Sequence, residues 1–202
     1  MSLLDKPKNF GLVAVIIGIV SLLAGIIAIV SEVFDDNIAL GAIIAAIGAI
    51  IYGMLILGIG IPIYQGEDDN SLSILGKFVR VIGLATIAVG VFTGAGTIVD
   101  GSLGAGISEI IVGLIFGLIL VWAATKILDG SIDTVDKIIW IVLLIVFLVL
   151  TVFSLVGIIT PFLDGFSLSI LFVAILSFCE FVLYGFLLFA VLSKDVKSAM
   201  GM

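Results

Sequence analysis

Apolar positions in this chain do not alternate with polar ones; they run on. Six stretches, residues 10–32, 38–64, 73–99, 103–125, 138–160 and 167–193, are almost wholly apolar and are separated by short polar segments. A bilayer core of ~30 Å is crossed by about 20 helical residues, so each stretch is long enough to span, with room for tilt. Strands of a membrane barrel would be about ten residues long and would alternate strictly, which these do not. Lipid offers no hydrogen bonds, so each stretch must satisfy its own backbone, as an α-helix does. The expected fold class is all-α, an integral membrane six-helix bundle. The first stretch follows Lys6 and Lys8 but is far longer than the ~7–15-residue core of a signal peptide, so it is expected to be retained.

The polar breaks repeat. "VFDDN" (33–37), "IVDGS" (98–102) and "FLDGFS" (162–167) each place an Asp, then Asp or Gly, then Asn or Ser before the next apolar stretch. Asp-Gly suits a tight turn, and Asn37, Ser102 and Ser167 are expected helix N-caps. A shift of 65 residues aligns Gly11 with Gly76, Gly18 with Gly83, Ser21 with Thr86, Gly25 with Gly90 and Ala28 with Thr93. "IYGML" (51–55) likewise resembles "IFGLI" (115–119) and "LYGFL" (183–187). The pattern predicts one membrane domain over 1–202 built from three tandem helical hairpins, 7–66, 72–130 and 136–194. The third hairpin keeps the turn and the aromatic-Gly pair, but Trp140, Phe147 and Leu150 replace the glycines of its first helix.

Gly11, Ala14, Gly18, Ser21, Gly25 and Ala28 recur at steps of three and four, one small-residue stripe down a helix. Gly76, Gly83, Thr86, Gly90 and Thr93 form a second, and Ala42, Ala46, Ala49 and Gly53 extend the pattern. Such stripes let membrane helices approach closely, so the first four helices are expected to pack along them. The other uses of a stripe are a pore lining or a homo-oligomer interface.

Composition agrees. The chain is 63% hydrophobic and 11% charged, with mean hydropathy +1.51, more apolar surface than a soluble domain of 202 residues can hide. Charge sets the orientation. Lys6, Lys8, Lys77, Arg80, Lys126, Lys137, Lys194 and Lys197 all fall at the termini or in the second and fourth breaks, so both termini are expected in the cytoplasm of a cell membrane. Glu32, Asp35, Asp36, Asp100 and Asp164 fall on the other side. No basic patch suggests nucleic acid; the expected partner is the lipid bilayer. Tyr64, Trp122 and Trp140 sit where an interfacial aromatic belt is expected.

Gly18/Gly25, Gly41/Gly48 and Gly83/Gly90, with "TPFLDG" (160–165) at the third turn, resemble the HdeD-like family of small six-span membrane proteins. That family tends to place a Pro near each such turn, and only the third turn has one here. The resemblance implies a membrane-homeostasis role of the acid-stress type and brings no catalytic residue with it.

Chemistry is sparse. There is no His and one Cys, Cys179, so there is no disulfide within the chain, no cysteine zinc site and none of the commonest general bases. No enzyme activity and no cofactor is expected. Two carboxylates remain inside apolar stretches, Glu180 and Glu109. Glu180 sits mid-stretch in "SFCEFVLYGF", where a charge costs ~3 kcal/mol on insertion scales, so it is expected protonated and facing the bundle interior. Its candidate partners by helix spacing are Tyr184 and Ser177, with Thr86, Thr93, Thr151 and Ser154 as further polar company. Glu109 lies nine residues past Asp100, about 10 Å below the outer surface, where it could reach water or sit at the mouth of a cavity. Counted from the aromatic-Gly pairs, Glu180 aligns with Gly48 and Val112, so it is an addition to the repeat. The leading expectation is a non-catalytic structural or stress-related membrane protein, with Glu180 as a hydrogen-bonding residue between helices. The alternative is a channel or a proton- or cation-linked transporter that uses Glu180.

Overall fold

The computed structural model describes residues 7–34, 38–130, 132, 134–159 and 168–202. Among them there are seven helices and no strand: α1 Pro7–Val33, α2 Leu40–Gln65, α3 Ser71–Val99, α4 Leu103–Leu128, α5 Thr134–Ile159, α6 Leu168–Leu192 and α7 Lys194–Ala199. The first five are each long and apolar enough to cross a membrane. The expected turns at 33–37 and 162–167, with Asp35, Asp36, Asn37, Asp164 and Ser167, lie wholly or largely outside the described residues, as do Lys6 and Pro161. The middle turn is described. Gly101 takes φ +92°, which a side chain would disfavour. Ser102 occupies the N-cap position of α4, but its side chain makes no capping bond, contrary to expectation. The cap that does form is Asn70, whose side chain accepts from the Leu72 and Ser73 amides at 3.0 Å and starts α3.

Consecutive helices run antiparallel along glycine seams. On α1, a Cβ at Gly18 would lie 2.9 Å from the Gly53 carbonyl oxygen of α2, and one at Gly25 would lie 3.0 Å from that of Ala46. On α3, a Cβ at Gly83 would lie 2.8 Å from the Gly117 carbonyl oxygen of α4, and one at Gly90 would lie 2.7 Å from the Gly113 Cα. Gly11 against Tyr64 and Gly76 against Leu128 close the same ends of the two pairs. Removing Cβ brings the backbones into dispersion contact, which is what holds helices together where lipid is as apolar as they are. α2 also packs on α3, with Gly96 against the Gly41 backbone. The expected packing of the first four helices along their small residues is therefore present.

The third pair closes differently. Trp140, Leu143 and Phe147 of α5 are buried against α6. The Trp140 indole N–H donates to the Val191 carbonyl at 2.8 Å. Trp140 is therefore not an interfacial anchor, as expected from its position, but an interior lock; Tyr64 and Trp122 are exposed and suit the anchoring role. α6 lies against α1, so the helices neighbour one another in the order α4, α3, α2, α1, α6, α5. Phe10 of α1 meets Phe78 of α3 and Phe186 of α6 edge-on, with ring centroids 4.6 and 5.6 Å away. These contacts sit at the end of the bundle that carries Lys8, Lys77, Lys126, Lys137 and Lys194, the basic end; Glu32 and Asp100 mark the acidic end. At the basic end α7 turns across the bundle, burying Val196, with Met200 buried just beyond it and Lys197 over the Trp140 ring.

Candidate functional site

Glu180 stands twelve residues from either end of α6, about 18 Å along the axis. One turn further on, Tyr184 shares its face of the helix. The third group was not anticipated. Tyr52, half-way along α2, brings its hydroxyl to the same place, where Tyr184, Glu180 and Cys179 are its titratable neighbours. The Tyr52 hydroxyl is buried and next to that of Tyr184, yet makes no well-aligned hydrogen bond. Ser21, one residue from the middle of α1, is likewise fully buried, with no partner for its hydroxyl among the described residues. Buried polar groups usually find partners, and leaving one unmet costs about 1–3 kcal/mol. Tyr52, Tyr184 and Glu180 thus gather half-way along α2 and α6, and Ser21 stands at a similar level of α1.

The other expected partners are elsewhere. Ser177 faces α5, its hydroxyl oxygen 2.9 Å from where a Cβ on Gly157 would stand. Thr86, Thr151 and Ser154 donate to the carbonyls of Ile82, Phe147 and Leu150, one turn back in their own helices. Their protons are committed to the backbone, so they offer Glu180 no donor. Glu180 itself is half-buried, with no hydrogen bond or ion pair among the described residues.

Glu109 is part of a different arrangement. Its carboxylate accepts from the Thr97 hydroxyl at 2.8 Å, across the α3–α4 seam. The two acids are not brought together. Thr97 was legible only approximately, because folding the chain about Gly101 sets position 97 opposite position 105, one helical turn from Glu109. Tyr52 was not, since its approach to α6 depends on which hairpins become neighbours.

Acids also organise the ends. Glu32, closing α1, accepts from the Ala39 amide at the start of α2 at 3.4 Å. The Asp100 carboxylate occupies the space above Gly41. Both bring negative charge to the N-terminus of α2, where the helix dipole favours it. At the basic end Asp68 binds Lys77 and the Ser73 hydroxyl and accepts from the Asn70 amide. Burial would push the Asp68 carboxyl up, but these three bonds and the Lys77 charge together hold it below the ordinary carboxylate range.

No group of three or more metal-ligating side chains occurs among the described residues. Among known proteins the chain matches no family model, no curated protein and no solved structure.

Proposed function

We propose that the chain is a six-span protein of the cell membrane with both termini in the cytoplasm. On this reading it acts without catalysis, as a structural or membrane-homeostasis component. α6, at 25 residues, supplies the sixth span, and the gathering of lysines at one end supports the orientation. The matching glycine contacts of the α1–α2 and α3–α4 pairs support descent from a repeated hairpin. The resemblance to the HdeD-like family points toward stress tolerance.

The observation that carries the non-transporting reading concerns reach. Among the described residues, the cleft at the basic end reaches along α6 to Phe186, six residues and about 9 Å short of Glu180. A conducting path needs water at the acid, whereas a packing residue needs none. The second reading, a proton- or cation-linked transporter, is favoured by one feature, the buried Tyr52 hydroxyl beside Tyr184 and Glu180. Purified protein in liposomes separates the two. Equal, negligible proton and cation flux for wild type and Glu180→Gln is expected; flux in wild type that the variant loses overturns the proposal in favour of transport.

A further inference from the structure

The cleft at the basic end has a chemistry of its own. It encloses ≈ 650 Å³ between the starts of α1 and α3 and the end of α6. Its walls are apolar and aromatic: Phe10, Ile74, Phe186 and Phe189. Phe10 is wedged edge-on against Phe78 and Phe186, so part of the wall is fixed by ring packing. From Ser193 at the rim to Phe186 the cleft runs about 10 Å along α6.

The mouth is acidic. Asp69, in the α2–α3 connection, and Asp195, on α7, both line it. A second hollow of ≈ 320 Å³ opens beside the same two residues, so they stand at a junction of accessible space. Neither is ion-paired among the described residues. Of the described cations at this end, Lys77 pairs with Asp68, Lys197 lies over Trp140, and Lys8 lies beside Gly66, outside the residues that line the cleft. Lys194, beside Asp195, is not among the residues that line the cleft.

We propose that this cleft binds a soluble lipophilic monocation, a single positive charge on an apolar body. The aromatic walls would take the apolar body and gain its removal from water. Phe189, exposed at the wall, can also face a cation with its ring. The two aspartates would hold the charge at the mouth. A membrane phospholipid fits less well, because its phosphate would meet the same two carboxylates and be repelled. The site is independent of Glu180, which lies beyond its floor.

The test is equilibrium dialysis of the full chain in a non-ionic detergent, corrected for uptake by empty micelles. The probes are tetraphenylphosphonium and its isosteric anion tetraphenylborate. Wild type should bind the cation saturably, one per chain, and the anion at least tenfold more weakly. Asp69→Asn with Asp195→Asn should weaken the cation at least tenfold while thermal unfolding stays unchanged; either single variant should show a smaller loss. Ala190→Trp, which fills the cleft from α6, should weaken it as well. Equal affinity for both ions would mean a merely greasy surface and would overturn the proposal. So would the absence of saturable cation binding, or full binding retained in the aspartate variants or in Ala190→Trp.

Discussion

Gly18 and Gly53 face each other across α1 and α2 so closely that a methyl group on either would stand within 3 Å of the other's carbonyl oxygen, at 2.9 and 2.8 Å. Gly83 and Gly117 repeat the relation on α3 and α4. Gly185, the glycine of the third aromatic-Gly pair, would place a Cβ in open space. A shared motif therefore has two uses, a seam in the first two hairpins and a free surface in the third.

Substitution separates them. Gly18→Leu or Gly83→Leu must force backbones apart, and overpacking of this kind costs about 1–3 kcal/mol or more. Gly185→Ala and Gly58→Ala meet nothing within 4 Å and should be neutral or slightly stabilising. Thermal unfolding in detergent checks both; a Gly18→Leu protein as stable as wild type would remove the seam from the account.

The lock between α5 and α6 makes a second prediction. Trp140→Phe keeps most of the ring but strands the Val191 carbonyl near a helix end. A loss of about 1–3 kcal/mol is expected, read as a lower unfolding midpoint.

Thr97→Val should affect Glu109 alone. It removes the donor but keeps the shape, leaving a half-buried carboxylate without its hydrogen bond. Stability should fall by about 1–2 kcal/mol, and the double variant with Glu109→Gln should fall by less than the sum of the two single changes.

At the midplane the expected effect is smaller. Tyr52→Phe removes a buried hydroxyl that meets the Tyr184 hydroxyl in poor alignment, so it should cost less than about 1 kcal/mol. A marked loss of stability would show that the hydroxyl has a well-aligned partner in the folded protein and that the site is better ordered than its geometry indicates.

The α2–α3 connection should respond to acid. Asp68 is held below its unfolded value, so its contribution is full above that value, about 3.9, and disappears as pH falls through the lower, folded one. Proteolysis within 66–70 should therefore speed up below about pH 4 in wild type, and Asp68→Asn should flatten that dependence.

The helices were readable because apolar runs of such length have one solution in lipid, and the glycine seams because spacing alone puts small residues on one face. Trp140 misled because position in the chain places a residue near an interface without saying whether it faces lipid or a neighbour. Thr86, Thr151 and Ser154 looked like company for Glu180, but a hydroxyl in a helix can always bond its own backbone one turn back. Tyr52 could not be found from spacing, since α2 and α6 are joined through the order in which hairpins pack. Only Tyr184, on the same helix face, was visible beforehand.

The glycine seams carry a consequence for heating. Glycine has no rotamers to freeze, so along the α1–α2 and α3–α4 seams it is chiefly the facing aliphatic side chains, such as Leu22, Ile50, Leu57, Ile87 and Val121, that lose side-chain entropy. Closing α5 on α6 must immobilise Trp140, Leu143 and Phe147, and that opposing entropy grows in weight with temperature. On warming, the third hairpin, which closes on an indole and a phenyl ring in place of glycines, is expected to loosen before the two glycine seams part.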